Sequence, residues 1–314
     1  MYILLLAPLL LFSYFLQALG LRGFSALASV VGALLYYLNF RKKIVRANLQ
    51  LALGSELSFE EIENLMKRNY KNTAQVFLGI ARNFSLSREK IKAEMKIGKE
   101  DKTALFKVLA QGKGAIIISA HIANWELFAT GMAAHGFPVS VVVKKMNNPL
   151  AQKLIERQRI KTGMEVIYSG NTLVKMKETL RRGHVIGFMV DQNVTGKKGI
   201  RANFFGVPAA SIRGLANLVK ETGVHVVPVC AFRLPDGTHE VKALPPLEYL
   251  TAENPSLSEA EKILREEWLN TQQYQSSIET LIRLHPEQWL WIHRRWKTDR
   301  TPIDVAKAHL EKPL

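Results

Sequence analysis

Apolar residues dominate the first forty positions of the chain, where Arg22 is the only charged side chain. Residues 2–20 have about the apolar length that a helix needs to cross a bilayer. Pro8 would kink such a helix without forbidding it. A cleaved signal peptide fits poorly, because no positive charge precedes the apolar run. The pattern therefore predicts a transmembrane anchor over residues 1–22.

A second apolar stretch, residues 23–40, follows the first and mixes small residues with large ones. It either enters the bilayer or lies as a helix in the interface or against the protein core. It is followed at once by a basic cluster: Arg41, Lys42, Lys43 and Arg46. We treat residues 23–46 as one unit, and the positive-inside rule places the body of the protein in the cytoplasm.

From Gly114 onward, short β-branched runs alternate with helical patterns. The predicted strands are 115–120, 139–143, 164–168, 185–190 and 225–231, and the predicted helices are 125–134, 150–162, 171–182, 211–222 and 258–283. Strand–helix repetition at this spacing is typical of an α/β fold with a mainly parallel central sheet flanked by helices. We expect one domain over residues 47–300 and a tail over 301–314.

The net charge of +16 and the pI near 9.9 call for an anionic partner. Nucleic acid, anionic lipid headgroups and an acidic carrier protein all satisfy this requirement. The sequence shows no motif typical of a nucleic-acid reader, and an anchor beside a basic body favours a lipid or a carrier. The single Cys230 and the scattered histidines have no metal-ligand spacing, so we expect no metal and no cofactor.

The most informative segment is a β-branched run that ends on His121. Asn124 then caps a new helix, and Glu126 lies in its first turn. His121 therefore lies at the carboxyl end of a strand, where open α/β sheets place their reactive groups. A histidine and a nearby carboxylate form the minimal general-base pair, although many histidines at strand ends simply cap or pack. We expect His121 and Glu126 to be catalytic and Asn124 to lie at the substrate.

Two further segments carry charged groups toward the same region. Asp191 follows another predicted strand, where it either starts a turn or orients a substrate hydroxyl or an arginine. Arg157 and Arg159 lie on the helix after the second strand. They either form a solvated basic face or supply a cation to a phosphate, a carboxylate or an oxyanion.

Two aromatic segments follow. Phe204 and Phe205 lie in an apolar loop over 203–211 that suits a wall for an acyl chain, or ordinary packing. Residues 285–297 alternate aromatic and basic side chains, which is typical of nucleic-acid stacking or of a segment at a membrane surface. With an anchor present we favour the membrane, with Arg294 and Arg295 on phosphates. Glu287 either contacts substrate or pairs with an arginine beneath the sheet.

Taken together, these blocks resemble the late acyltransferases of lipid A biosynthesis, within the wider glycerolipid acyltransferase group. The matching segments are His121-Ile-Ala-Asn-Trp-Glu126, Asp191-Gln, Phe204-Phe-Gly-Val-Pro-Ala-Ala, Thr222-Gly-Val-His-Val-Val-Pro228 and Pro286-Glu-Gln-Trp-Leu-Trp-Ile-His-Arg-Arg-Trp-Lys297. The histidine–acidic motif alone is weak, but four further blocks in the same order extend the match over nearly the whole chain.

The resemblance implies a glycerolipid-acyltransferase-like fold in an inner-membrane enzyme that faces the cytoplasm. Such an enzyme moves a fatty acyl group from a thioester, usually on acyl carrier protein, to a hydroxyl of an anionic glycolipid. The residues Ile122 and Ala123 depart from the family pattern, which puts the acceptor in doubt more than the chemistry. Related enzymes acylate other glycolipids or glycerolipids from acyl-CoA. The non-enzyme alternative is a membrane-tethered basic scaffold that binds anionic lipid or nucleic acid.

Overall fold

The computed structural model describes residues 2–143, 148–168 and 172–297, with the side chains of residues 2–6, 151 and 197 left out. The predicted tail, 301–314, lies outside these residues. The helices are α1 Tyr2–Ala18, α2 Gly20–Tyr37, α3 Lys42–Leu53, α4 Phe59–Asn83, α5 Arg88–Glu94, α6 Lys99–Leu109, α7 Trp125–Ala134, α8 Pro149–Thr162, α9 Thr172–Arg181, α10 Gly214–Thr222 and α11 Glu259–Leu284. The strands are β1 Met95–Ile97, β2 Ala115–Ser119, β3 Val139–Val143, β4 Glu165–Tyr168, β5 Val185–Met189, β6 Gly199–Phe204, β7 Val207–Ile212, β8 His225–Arg233 and β9 His239–Ala243.

Seven strands form one sheet in the order β1-β9-β8-β2-β5-β3-β4. Only the β8–β9 pairing within it is antiparallel. The mainly parallel sheet flanked by helices is therefore confirmed. The strands β2 and β5 are neighbours at its centre, so their carboxyl ends open at the same edge.

Helices cover both faces of this sheet, because side chains of a buried parallel strand point alternately to either side. Ile116 and Ile118 of β2 face a large core built with α3, α4, α10 and α11. Ile117 faces a second core built with α5, α6 and α7. The predicted strands 139–143 and 185–190 match β3 and β5 to within a residue.

The first two helices pack as a hairpin against α4. Ser13 of α1 is buried and donates its hydroxyl to the Arg82 carbonyl at 3.0 Å. Gly32 of α2 lies so close to α4 that an added Cβ would come within 2.6 Å of the Lys71 Cα. The outward sides expose large apolar residues such as Leu11 and Val30.

Among the described residues, one helix, Gly20–Tyr37, is long and apolar enough to cross a membrane. The apolar helical stretch Ala7–Ala18 is shorter. We had placed the spanning anchor in the first segment, whereas the helix of spanning length is the second. The apolar hairpin suggests that the chain is anchored to a membrane.

The region 203–211 is a two-stranded antiparallel hairpin rather than an apolar loop. Phe205 and Gly206 form its turn, both with positive φ. Ser211, where we expected the next helix to begin, lies in β7, and α10 begins only at Gly214.

Candidate active site

The site lies where β2 and β5 end side by side. The chain leaves β2 at Ser119 and reaches His121 two residues later, while Asp191 follows β5 by two residues. Because Ser119 pairs with Met189 in register, His121 and Asp191 meet at the carboxyl edge of the sheet. The sequence predicted this shared edge, and the structure makes the two residues direct partners.

Asp191 holds the His121 residue by two hydrogen bonds. The His121 backbone N–H donates to Oδ2 at 2.9 Å, and the ring Nδ1 lies 2.8 Å from Oδ1. The Trp289 indole N–H donates to Oδ2 at 2.7 Å. Burial of Asp191 would raise the pKa of its carboxyl, but the charge and hydrogen bonds of His121, with the bond from Trp289, lower that pKa to about 2. Asp191 is therefore ionised at neutral pH.

The same contacts act on the histidine in the opposite direction. Burial would lower the pKa of His121, but the charge and hydrogen bond of Asp191, together with the charge of Glu126, outweigh it and raise the pKa above its usual value of 6.5. A carboxylate on Nδ1 keeps the proton on that nitrogen, so Nε2 is the basic nitrogen. The Gln192 amide nitrogen lies 3.1 Å from Nε2 and donates to it in this tautomer.

The backbone around His121 is fixed by the carboxy-terminal segment. Leu290 N–H donates to the His121 carbonyl at 3.0 Å, and Ala123 N–H donates to the Gln288 carbonyl at 3.0 Å. Ala123 has a φ of 43°, a left-handed conformation that is strained for a residue with a side chain. The carboxy-terminal segment thus stabilises the strained turn at Ala123 and thereby fixes the orientation of His121.

Helix α4 fixes this segment in turn through buried asparagines. The Asn69 amide donates to the carbonyls of Glu287 and Trp289 at 2.9 and 2.6 Å. Asn72 donates to the Gln288 carbonyl at 2.9 Å. Since irregular buried backbone must have partners, these amides replace the hydrogen bonds that a regular element would supply.

Glu126 contacts an arginine rather than the His121 imidazole. Its carboxylate accepts two bonds from Arg159 of α8, at 2.8 and 3.3 Å. We expected Glu126 to orient His121, and the structure gives that position to Asp191. The reason is geometric, because Glu126 projects from the first turn of α7, beyond the turn that carries the histidine.

An apolar cavity of about 370 Å³ opens beside the His121–Asp191 pair. Trp125, Glu126 and Arg159 line its mouth, and the Trp125 ring meets the His121 ring edge to face with centroids 4.8 Å apart. Apart from Ser119, the rest of the lining is apolar: Ile117, Phe128, Ala129, Met132, Val139, Val141, Val142, Val185, Gly187, Phe188 and Met189. The volume falls in the range of small-molecule sites, and its lining suits a hydrocarbon chain.

Asn124 and Arg157 lie outside the cavity lining. Asn124 caps α7 as predicted, accepting the Leu127 N–H at 3.0 Å, but its side chain is buried against Asn83. It is therefore a structural cap rather than a substrate contact. Arg157 lies on the exposed face of α8, in agreement with the solvated alternative, whereas Arg159 two residues later faces the mouth.

Phe204 and Phe205 belong to an aromatic cluster in the core, in agreement with the packing alternative, and neither lines the cavity as an acyl wall would. Both are buried, and the Phe204 ring packs 5.5 Å from the Trp289 ring. Trp291, which we had placed at a membrane surface, is fully buried in the same cluster. The rings of this cluster pack against Trp289, and the Trp289 indole donates its hydrogen bond to Asp191.

The residues Glu287, Arg294 and Arg295 of the last block have different surroundings. Arg295 is fully buried and donates to the Ala210 carbonyl, the Ser211 hydroxyl and Gln275, so it ties the segment to the core rather than to a phosphate. Arg294 is exposed beside α3. The Glu287 carboxylate lies 3.5 Å from His285 Nδ1. Its partner is therefore a histidine, whereas we had considered substrate or an arginine.

Sequence reasoning missed Trp289, Gln192 and Gly187 as parts of the site. Gln192 directly follows Asp191, so its adjacency to a strand-end carboxylate was a usable signal. Trp289 was one of several tryptophans in a segment that we assigned to the membrane surface. Gly187 is a glycine inside a β-branched strand, a pattern that indicates close approach of a ligand or of another backbone.

A base at a sheet edge beside a space for a hydrocarbon chain is the combination that acyl transfer needs, so fold and site together define an acyltransferase. Comparison with known families carries this further. The family described as bacterial lipid A biosynthesis acyltransferase matches residues 6–298. The chain belongs to this family.

Characterised relatives agree with this assignment. The lipid A biosynthesis lauroyltransferase of Escherichia coli is 28% identical over 270 residues, which cover 84% of this chain and 81% of the relative. The palmitoleoyltransferase of the same organism is 25% identical over 277 residues, covering 87% and 84%. A phosphatidylinositol mannoside acyltransferase of Mycobacterium tuberculosis is 30% identical over 125 residues, which cover only 38% and 39%.

Proposed function

We propose that this chain transfers a fatty acyl group from acyl carrier protein to a hydroxyl of a lipid A precursor, with His121 as the general base. The observation that carries the proposal is the His121–Asp191 pair, whose imidazole packs against Trp125 in the lining of the apolar cavity. Family membership supports the lipid A precursor as acceptor, and the net charge of +16 suits both an acidic carrier and a phosphorylated lipid.

The reaction needs no covalent enzyme intermediate. The acceptor hydroxyl displaces the Gln192 amide from His121 Nε2, which then removes the hydroxyl proton as the oxygen attacks the thioester carbonyl. Asp191 stabilises the imidazolium that forms. When the tetrahedral intermediate collapses, the carbon–sulfur bond breaks, the ester forms, and the leaving thiolate takes the proton from the imidazolium.

The Arg159 guanidinium supplies positive charge at the mouth of the cavity, where the thioester carbonyl would lie when its chain fills the space below. Such a charge stabilises the oxyanion of the tetrahedral intermediate in a site from which water is excluded. Glu126 is then a positioning residue, because its two hydrogen bonds fix the plane of the guanidinium.

This role predicts strong coupling between Glu126 and Arg159. In a double-mutant cycle of Glu126→Gln and Arg159→Gln, the double variant should transfer no more slowly than the worse single variant, with a coupling free energy on the order of 1 kcal/mol. The measurement is kcat/KM for acyl transfer. The matched control is the exposed pair Glu165–Arg182, whose glutamine variants should transfer normally. Strictly additive losses at residues 126 and 159 would contradict the coupling.

The amino-terminal hairpin would bring the site to its lipid. Its exposed apolar side lies against or within the membrane, and the cluster Arg41, Lys42, Lys43 and Arg46 marks the cytoplasmic side. We therefore propose an inner-membrane location, with the catalytic domain facing the cytoplasm, where acyl thioesters are made.

Mass spectrometry of membrane lipids tests the acceptor and the acyl group together. Cells that contain the chain should hold lipid A species heavier by one acyl group than cells that lack it, and the His121→Ala variant should not restore these species. An unchanged lipid A profile beside a changed mannosylated phosphatidylinositol or glycerolipid would favour the acceptor class of the mycobacterial relative instead.

A further inference from the structure

Gly187 interrupts an otherwise β-branched and apolar strand at the centre of the sheet. Glycine in the middle of a strand weakens it, because glycine loses more backbone entropy and packs no side chain. Gly187 has no positive φ, so no turn or bulge requires it. Within the described residues, a Cβ added here would meet no heavy atom within 4 Å. The missing side chain therefore leaves open space.

That space belongs to the apolar cavity. Gly187 pairs in register with Ile117 of β2 on one side and with Val141 of β3 on the other, and all three residues line the cavity. They form one row across three strands, in which the central position has no side chain. The row therefore contains a notch in the middle of the cavity wall.

The register places this notch halfway between mouth and floor. Ser119 and Met189 form the row above, at the mouth, and Val139 and Val185 form the row below, at the floor. Residues two apart on a strand are separated by about 6.6 Å. A hydrocarbon chain that enters at the mouth must therefore pass Gly187 before it can reach the floor.

We propose that Gly187 determines the acyl chain length that the enzyme accepts, by leaving the passage to the lower half of the cavity open. A side chain at this position would end the cavity at the middle row and exclude longer acyl groups. This inference rests on the proposed function and adds the residue that sets its acyl specificity.

The test is a competition between acyl thioesters of increasing saturated chain length, each presented on acyl carrier protein and on CoA. The variants Gly187→Ala and Gly187→Val should shift the preferred chain to progressively shorter lengths. Each methylene that no longer fits should lower relative kcat/KM about fourfold, the equivalent of about 0.8 kcal/mol. The variant Met132→Ala, which enlarges the space near the floor, should shift the preference to longer chains.

Controls separate specificity from folding. The variant Ile186→Val changes the neighbouring side chain on the opposite face of β5, so its chain-length profile should match the wild type. The Gly187 variants should keep the wild-type melting temperature or exceed it, since a side chain at this position meets open space and favours the strand.

Each result has one meaning. A profile unchanged in both Gly187 variants, or an equal loss at every chain length, would overturn the role of Gly187 while leaving acyl transfer intact. Absence of transfer by the wild type from every thioester would overturn the proposed function, and the role of Gly187 with it.

Discussion

Replacing His121 with alanine is expected to lower kcat/KM for acyl transfer by at least about 10³-fold. No other described group that is hydrogen-bonded to Asp191 can remove the proton from the acceptor hydroxyl. Among the described residues, His121 is the only histidine hydrogen-bonded to Asp191, and Gln192 already donates a hydrogen bond to its Nε2. Removing it leaves the cavity and Arg159 in place. Donor binding should therefore change little while turnover is lost.

The matched control for this variant is His225→Ala. His225 begins β8, which pairs in register with the start of β2, so it lies at the opposite edge of the sheet. Its ring contacts the exposed Gln111 side chain at 2.8 Å. Transfer by this variant should equal that of the wild type. Turnover by His121→Ala within tenfold of the wild type would show that another group is the base.

Replacing Asp191 with asparagine is expected to reduce kcat by roughly 10³- to 10⁴-fold, although the variant is nearly isosteric. The amide can still accept hydrogen bonds from the His121 backbone and from Trp289 through its oxygen. Its NH₂ group then faces His121 Nδ1, which must become the acceptor. The ring proton moves to Nε2, and the nitrogen that should receive the hydroxyl proton is already occupied.

The tautomer can be observed directly by ¹⁵N NMR of the histidine ring. We expect Nδ1–H in the wild type and Nε2–H in Asp191→Asn, while the control variant Asp236→Asn, at an exposed carboxylate paired with Lys96, retains both the tautomer and the rate. Unchanged turnover in Asp191→Asn would remove Asp191 from the mechanism.

Much of this site could be predicted from the sequence, because strand ends are local features. The β-branched run before His121 and the apolar run before Asp191 each predict a strand, and parallel strands open at the same edge of a sheet. The edge shared by the two residues followed from that rule. Their direct contact did not, since it depends on β2 and β5 being neighbours in the sheet order.

The partner of Glu126 illustrates the limit of reasoning from spacing. A short separation from His121 suggested contact, but a tight turn with Ala123 at positive φ lies between them. Long-range packing then brings α8 against α7, and Arg159 takes the carboxylate. Neither the strained turn nor the helix contact leaves a periodic signal in the chain.

The carboxy-terminal block was misjudged for a similar reason. Its alternating aromatic and basic residues are typical of a membrane surface, yet Trp289, Trp291 and Arg295 are all buried. Trp289 donates to Asp191 and Arg295 donates to the Ala210 carbonyl, and both partners are distant in the sequence. Burial of this kind depends on hydrogen bonds between elements, which composition does not reveal.

The pH dependence of kcat/KM tests the central claim, a general-base pair of His121 and Asp191, most directly. His121 acts as a base only when neutral, so activity should fall as the pH drops through its raised pKa, giving the wild type an acidic limb above 6.5. In Asp191→Asn the charge and hydrogen bond of Asp191, which raise this pKa more than the charge of Glu126 does, are gone while burial remains, so the limb of the residual activity should move to lower pH. A limb that stays in place or moves to higher pH in this variant would contradict the account.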